Sequence, residues 1–265
     1  MASAGRTFRR VVAAGWPTIA VLTATAGPGL AAPCSFEAQG EGRVAEVIDG
    51  RSFRLSDGRE IKLAGIEPLS PGVTRAERTA ALSAVIVGKD VALRGADDTP
   101  DRYGRQTAFV FLAGSDTPVQ SLLVSEGAAL TSPDVADKEC AAALSAAEGA
   151  AKAAKKGAWN SPAVIKNAES TDDILSGIGH FLLVEGRVLS VRQAGATTYL
   201  NFGRRWTRDF AVTISRRNMP AVESAGVALK SLENRRIRVR GWVEARPGPR
   251  MEVVRAGQIE VLGGN

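Results

Sequence analysis

Two Asp-Gly pairs within residues 43–67 constrain the fold of this chain more than any other feature of its sequence. The segment reads RVAEVIDGRSFRLSDGREIKLAGIE, and Asp49-Gly50 and Asp57-Gly58 each separate two short stretches in which apolar residues alternate with polar ones. An Asp-Gly pair between such stretches is a strong local signal for a tight hairpin turn. The segment therefore predicts a meander of short antiparallel strands.

Helices are expected after this meander, at about residues 74–87, 117–127 and 137–156. A capping box formed by Thr74 and Glu77 opens the first of them. Two further strands are expected at 89–94 and 105–112. Strands first, with helices inserted and then appended, indicate a small barrel with helices on one side, which is an α+β fold.

Residues 43–67, together with DRYGRQTAFVFL at residues 101–112, resemble the two signature segments of the thermonuclease (staphylococcal nuclease-like) family. The resemblance covers about residues 42–160 and ends in Gly157-Ala158-Trp159, which is similar to the usual Gly-x-Trp finish of the family. It implies an OB-type five-stranded β-barrel with helices. It also implies the calcium-dependent phosphodiesterase activity of that family, with nucleic acid as the substrate.

Several positions that the family uses for chemistry carry different residues in this chain. Arg51 stands where the resemblance puts a calcium ligand, and Ser70 stands where it puts the general base. A cation repels calcium, and a serine cannot take a proton from water at neutral pH without a base of its own. Glu67 keeps one metal-binding carboxylate, Lys62 replaces the first phosphate-binding arginine without its bidentate fork, and Arg105 keeps the second.

These departures predict a degenerate catalytic site. We expect Arg51, Lys62 and Arg105 to converge on a phosphate without any metal, and we expect no bound Ca²⁺. Glu67 is the one weak candidate metal ligand. The rival interpretation is an active metal-dependent phosphodiesterase that uses Glu67 with another carboxylate and a different metal.

The first 32 residues predict a secretory signal peptide. Three arginines precede an uncharged, mostly apolar run over residues 11–26, and small residues at 29–32 suit a cleavage site. We therefore expect a periplasmic or secreted protein with no transmembrane anchor after the signal is removed. In such an oxidising compartment the two cysteines, Cys34 and Cys140, favour a disulfide, and two separate thiols are the alternative.

Charge is distributed unevenly along the chain. Residues 33–179 hold 16 Lys/Arg and 21 Asp/Glu, whereas residues 180–265 hold 15 Lys/Arg and 7 Asp/Glu. A basic C-terminal half indicates a nucleic acid or another phosphate polyanion as a partner. An anionic envelope surface would be attracted by the same charge.

A linker is predicted at residues 161–180, followed by short strands at 181–263 that suggest a second, small OB-like β-barrel. Arginines and aromatic residues alternate in this half, a mixture that suits single-stranded nucleic acid. The candidate nucleic-acid-binding residues here are Arg192, Tyr199, Arg204, Arg205, Trp206 and Arg208. The alternative is that Leu200 with Phe202, and Val239 with Trp242, form a core that leaves the arginines on the wet face.

The sequence thus predicts an exported protein that binds nucleic acid or another phosphate polyanion, with its nuclease activity lost or reduced. One alternative is an active phosphodiesterase with altered metal and base residues. The other is a non-catalytic module of the cell envelope that makes only protein contacts.

Overall fold

The computed structural model describes residues 1–2, 34, 36–69, 72–224 and 226–263. Almost all of the predicted signal peptide lies outside the described residues, and so does Ser70. From residue 34 onward the described chain forms one compact, mixed α+β unit. None of the helices described in the structure is both long and apolar enough to cross a bilayer.

The first half is built mainly of short strands. Its elements in chain order are β1 (Glu37–Asp49), β2 (Ser52–Leu55), β3 (Glu60–Leu63), β4 (Ile66–Pro68), α1 (Arg75–Ile86), β5 (Asp90–Gly95), β6 (Arg105–Leu112), α2 (Val119–Ser125), β7 (Ala129–Thr131) and α3 (Lys138–Ala153). Five strands close into a barrel in the order β1-β2-β3-β6-β5, in which only the β3–β6 pair is parallel. β4 and β7 form a separate antiparallel pair.

Local chemistry explains most of these elements. Asp49 accepts a hydrogen bond from the backbone N–H of Arg51 at 2.9 Å, and Asp57 does the same for Arg59 at 3.0 Å. Both Asp-Gly pairs therefore form the predicted turns. The capping box of Thr74 and Glu77 is confirmed at the start of α1.

Buried side chains fill the barrel and fix the α3 helix to it. The barrel core includes Phe53, Leu55, Ile61, Leu63, Leu93 and Val110. A disulfide joins Cys34 to Cys140 of α3, and both cysteines are buried against Phe109, Phe111 and Leu144. This bond ties Cys34, which precedes β1, to the last helix of the first half.

The second half consists of a mixed sheet and short helices. Its elements are β8 (Ile165–Asn167), α4 (Thr171–Leu175), β9 (Phe181–Arg187), β10 (Ser190–Ala194), β11 (Thr197–Asn201), β12 (Ala211–Ser215), α5 (Met219–Glu223), β13 (Arg236–Ala245), β14 (Pro249–Glu252) and β15 (Ile259–Val261), with 3₁₀ turns at Gly157–Asn160, Pro162–Val164, Leu229–Leu232 and Ala256–Gln258. The strand order is β10-β11-β12-β14-β13-β9-β8, and β15 also pairs with β13.

The sheet of the second half is open between β9 and β10, so continuous pairing does not form the closed second barrel that we predicted. Only Val188 and Leu189 separate these strands. The N–H of Val188 donates to Arg235 O at 3.0 Å, and that of Leu189 donates to Asn201 O at 2.8 Å. The chain thus turns from β9, which lies next to the edge strand β8, to β10 at the opposite edge of the sheet. If β9 and β10 are counted as one bent strand, and the additional strands β8 and β15 are set aside, the strand order repeats that of the first half.

The segment that we predicted as a linker, residues 161–180, is folded. β8 pairs with β9, and Ile174 of α4 is fully buried. Apolar residues of this segment share a cluster with residues of both halves: Val164, Ile165, Leu69, Leu130, Phe181 and Leu183. The two halves therefore pack directly on each other. This packing could not be predicted from the sequence because β8 is only 3 residues long.

β13 also holds the two halves together. Its Arg240 forms an ion pair with Glu148 of α3 at 2.8 Å, and both side chains are nearly buried, at 14% and 6% exposure. The alternative in which Val239 and Trp242 form a core is wrong for Trp242, which is 46% exposed, while Val239 is buried. Residues three apart on a strand point to opposite faces, so these two cannot share one.

Candidate functional site

Six charged side chains gather on one side of the barrel, and we call them the barrel cluster: Asp49, Arg51, Lys62, Glu67, Asp101 and Arg105. The strand register explains why they meet. Lys62 of β3 lies opposite Ser52 of β2 and Thr107 of β6, and Arg105 is two residues before Thr107. Residues two apart on a strand share a face, so Lys62 and Arg105 project from the same side of the sheet. The strand register thus brings together two of the three cations that we expected to converge, Lys62 and Arg105.

Arg51 and Glu67 neutralise each other within the barrel cluster. The Arg51 guanidinium donates directly to Glu67 Oε2, and the two side chains are only 15% and 9% exposed. Burial raises the pKa of Glu67, whereas Arg51 and, more weakly, Lys62 oppose that rise. The carboxylate that we predicted as a weak metal ligand is therefore already occupied by a cation of the chain itself.

Arg105 is paired in a similar way. It donates to Asp101 through Nε at 3.1 Å and Nη2 at 2.8 Å, a two-pronged contact. This hydrogen bonding lowers the pKa of Asp101 to about 2 and raises that of Arg105. Lys62, by contrast, has no carboxylate within ion-pair distance among the described residues. Its pKa is lowered by burial first and then by Arg51.

The barrel cluster does not fit the calcium ion that the resemblance implies. Calcium takes roughly six to eight oxygen ligands from carboxylates, carbonyls and waters. The guanidinium of Arg51 already occupies Glu67, the carboxylate that the resemblance assigns to the metal. In the described part of the chain, no three His, Cys, Asp or Glu side chains are arranged to hold a metal.

The second half borders this cluster. The Arg51 guanidinium lies over the ring of Trp242 at 5.8 Å, and Trp242 packs edge-on against Phe181. Sequence reasoning missed this neighbour because it considered Trp242 only as a possible core residue of the second half. Arg51 thus contacts a carboxylate on one side and an aromatic ring of the other half on another.

A second group of predicted residues lies on the outer face of the second sheet. The register places Arg192 of β10 opposite Tyr199 of β11, and it places Ala211 of β12 opposite Arg250 of β14. Asn201, two residues after Tyr199, pairs with Ala211. Because side chains alternate between faces along a strand, these five residues share one face.

The opposite face of the same strands is the core. Leu200, Val212, Ile214 and Met251 are fully buried there. Phe202 and Phe210, which flank the arginines of the β11–β12 loop in the sequence, are also buried in this core, and their rings pack at a tilt with centres 5.2 Å apart. The core alternative is therefore right for Leu200 and Phe202, and those two phenylalanines cannot meet a ligand.

The outer face forms a groove of about 750 Å³, which we call the arginine groove. Its lining residues are Leu189, Ser190, Arg192, Ala194, Tyr199, Asn201, Gly203, Arg204, Trp206, Ala211 and Arg250. Four predicted nucleic-acid-binding residues are among them, whereas Arg205 and Arg208 are exposed on the same loop without lining the groove.

The loop between β11 and β12 is tightly closed, and this fixes the position of Arg204 and Trp206. Asp209 accepts from the backbone N–H of Arg205 at 2.7 Å. A Cβ on Gly203 would lie 2.1 Å from Asp209 Oδ2, so the loop has no room for a side chain there. Trp206 projects from this loop and is 67% exposed.

Arg250 is the groove residue that sequence reasoning missed. Its guanidinium lies over the Tyr199 ring at 5.4 Å, and its buried Nε has no hydrogen-bond partner in the structure. Nothing in the local sequence around Pro249 and Arg250 indicates a ligand. Arg250 reaches the groove only because β14 pairs in parallel with β12, a contact that is not visible in the sequence pattern.

The two sites differ in their balance of charge. The barrel cluster sets three cations against three carboxylates. The arginine groove has three arginines and no acidic lining residue, and Arg192, Arg204 and Arg250 make no ion pair with any described residue. Glu252 follows on the same face of β14 but does not line the groove.

Residues 75–161 match the family model described as staphylococcal nuclease homologue. No curated protein matches the chain. The chain therefore contains a thermonuclease-like domain, a nucleic-acid-related nuclease fold, which confirms the resemblance in that part. The matched segment includes Asp101 and Arg105 but begins after Arg51, Lys62 and Glu67.

Proposed function

We propose that this protein is exported and binds nucleic acid or another phosphate polyanion without the calcium-dependent hydrolysis typical of thermonucleases. The observation that carries this proposal is the contact between Arg51 and Glu67. A guanidinium on the remaining metal-binding carboxylate takes the place of a divalent cation, and it cannot supply a metal-bound water.

Binding of a polyanion is supported by the thermonuclease-like match and by the unpaired arginines of the second half. A thermonuclease-like domain points to nucleic acid as the partner. Unpaired arginines add an attraction for phosphate that depends on salt and not on sequence.

We propose further that the second half is an OB-like module. Its strand order, with β9 and β10 counted as one bent strand, repeats the order of the barrel in the first half. The arginine groove lies on β10, β11 and β12. In OB folds the face of the second and third strands is a common site for oligonucleotides and oligosaccharides.

Export is supported by the disulfide as well as by the N-terminal sequence. The bond between Cys34 and Cys140 requires an oxidising compartment to persist, which the periplasm or the exterior provides and the cytoplasm does not. A protein isolated from its natural host should begin near residue 33 and be found in the periplasmic or secreted fraction. An intact N-terminus in the cytoplasmic fraction would contradict export.

The main experiment combines cleavage and retention assays on the purified protein. Labelled single-stranded DNA is incubated with calcium, magnesium, manganese or a chelator, and the products are separated both on denaturing gels and on native gels. We expect an intact strand under all four conditions, together with a retained complex that weakens as salt rises. Arg105→Ala is the control for a contaminating nuclease, because a true activity of this chain should need the arginine kept from the family pattern.

Two results would overturn the proposal in different directions. Cleavage that needs a metal and disappears in Arg105→Ala would establish the phosphodiesterase interpretation, with a base other than Ser70. An intact strand that is never retained at low salt would instead support a protein-interaction module of the envelope.

A further inference from the structure

We propose that the arginine groove is a binding site for single-stranded nucleic acid, with unstacked bases on Tyr199 and Trp206 and phosphates held by Arg192, Arg204 and Arg250. This inference rests on the proposed function and names its ligand and its site. It assigns binding to the second half of the chain, outside the segment that matches the nuclease family.

Charge pairing selects the groove over the barrel cluster. In the barrel cluster two of the three cations, Arg51 and Arg105, are already paired with Glu67 and Asp101, and only Lys62 is without a carboxylate partner among the described residues. A phosphate that enters the groove displaces no carboxylate from Arg192, Arg204 or Arg250. The free energy gained by counterion release is therefore available in the groove without loss of an existing ion pair.

Arg250 supplies a second observation that points to a ligand. It makes no ion pair with any described residue, although it lies beside other charged strands. Its guanidinium stays on the groove side, over Tyr199. An acceptor bound beside Tyr199 would be well placed for this arginine, and a phosphate oxygen is the acceptor that arginine recognises best.

The aromatic residues favour a single strand over a duplex or a purely anionic polymer. Trp206 is 67% exposed on a closed loop, which is an unusual exposure for a large ring. A ring held in this way offers a stacking surface to a base that is not already paired and stacked. Anionic lipid headgroups have no such base, so they would use the arginines alone.

The test measures binding of fluorescently labelled oligothymidylate and oligouridylate of roughly 12 nucleotides, within the range that one OB-type barrel covers. The same DNA annealed to its complement serves as the duplex probe. Changes in fluorescence anisotropy give the dissociation constants at several salt concentrations. We expect both single strands to bind more tightly than the duplex. The difference between the dissociation constants of oligothymidylate and oligouridylate shows whether DNA or RNA is preferred.

Two groove variants and one matched control locate the site. Trp206→Ala should weaken binding by roughly 5- to 150-fold at constant salt, the range expected for loss of one stacking platform. Arg192→Gln should reduce the slope of log affinity against log salt by about 0.7, as expected when one phosphate contact on a single strand is lost. Arg217→Gln removes an exposed arginine of the same half that lies outside the groove, and it should change neither quantity.

The outcomes separate this inference from the proposed function. If the wild-type protein binds single strands but Trp206→Ala and Arg192→Gln bind equally well, the groove assignment is wrong and the proposed function stands. If a duplex or a heparin-like polymer competes as well as the single strand does, the ligand class is wrong. If the wild-type protein binds no nucleic acid at low salt, both proposals fail. Unchanged melting temperatures of the variants establish that lost binding is not lost folding.

Discussion

Replacing Arg51 by alanine tests whether this residue is a built-in counter-charge for Glu67. Glu67 is nearly buried, and Arg51 is the cation in direct contact with it. Lys62 is a further cation near enough to lower the pKa of Glu67, but its effect is smaller. The variant therefore leaves a desolvated carboxylate with weak compensation.

The expected loss follows from these contacts. Breaking a buried ion pair by removing one partner costs about 3–5 kcal/mol because the other charge stays buried. Lys62 remains in the cluster and solvent can reach the cavity left by Arg51, so the lower end of that range applies. The contact with Trp242 at 5.8 Å adds about 0.5–1 kcal/mol. We expect Arg51→Ala to lower the free energy of unfolding by about 3–4 kcal/mol at neutral pH.

The loss should depend on pH. Burial raises the pKa of Glu67, and the variant removes the main group that opposes this rise. A carboxyl group whose pKa is higher in the folded state than in the unfolded state stabilises the fold only while it is protonated. That contribution is fully present below the unfolded pKa and is lost as the pH rises through the folded pKa. The deficit of the variant should therefore be smaller at about pH 5 than at about pH 8.

Urea unfolding of the wild type and of Arg51→Ala at both pH values measures this effect. Arg59→Ala is a matched control from the same meander, since Arg59 pairs with Asp57 at 38% and 50% exposure, and it should lose less than about 1 kcal/mol. In the background of Glu67→Gln, the loss caused by Arg51→Ala should shrink to the contribution of Trp242. A loss that is equal at both pH values, or equal with and without the Glu67 carboxylate, would refute the reasoning.

Three further predictions concern the same scaffold. Millimolar calcium should leave the melting temperature of the wild type within about 1 °C of its value with chelator, whereas ligand at a hundred times its dissociation constant would add about 2.7 kcal/mol. Arg240→Met should lower the free energy of unfolding in urea by about 3–5 kcal/mol because it leaves the buried carboxylate of Glu148 without a cation. The control Arg246→Met, which breaks an exposed ion pair, should lower it by less than about 1 kcal/mol. Reduction of the Cys34–Cys140 bond, which spans 106 residues of sequence, should cost about 4–5 kcal/mol by the chain-entropy estimate and lower the urea midpoint measured with reductant.

Elements encoded by neighbouring residues could be predicted from the sequence. The strand over residues 105–112 and the capping box of Thr74 and Glu77 lie where the local pattern put them. Turn and cap chemistry acts over three or four residues, so the sequence carries it directly. The burial of Leu200 and Phe202 on one face also followed from the way side chains alternate between the two faces of a strand.

Contacts between distant residues could not be predicted. Arg240 looked like a solvated strand residue among alternating arginines, yet it is buried against Glu148 of α3. Arg250 enters the groove through a parallel pairing of β14 with β12 that no local pattern encodes. For the same reason the sequence could identify Arg51 as a changed metal ligand but could not reveal its contact with Glu67 or with Trp242.

A guanidinium and a divalent cation are not chemically equivalent even when each binds the same carboxylate. The metal has open coordination positions and exchanges with solvent, so it can hold a phosphate and activate a water at once. Arg51 is covalently part of the chain, and its donors are directed at Glu67 while its face lies toward Trp242. A chelator cannot remove this cation, and it offers no position for a water nucleophile. Any polyanion binding by this protein should therefore be insensitive to chelators yet sensitive to salt, a combination that a metal-dependent nuclease site would not produce.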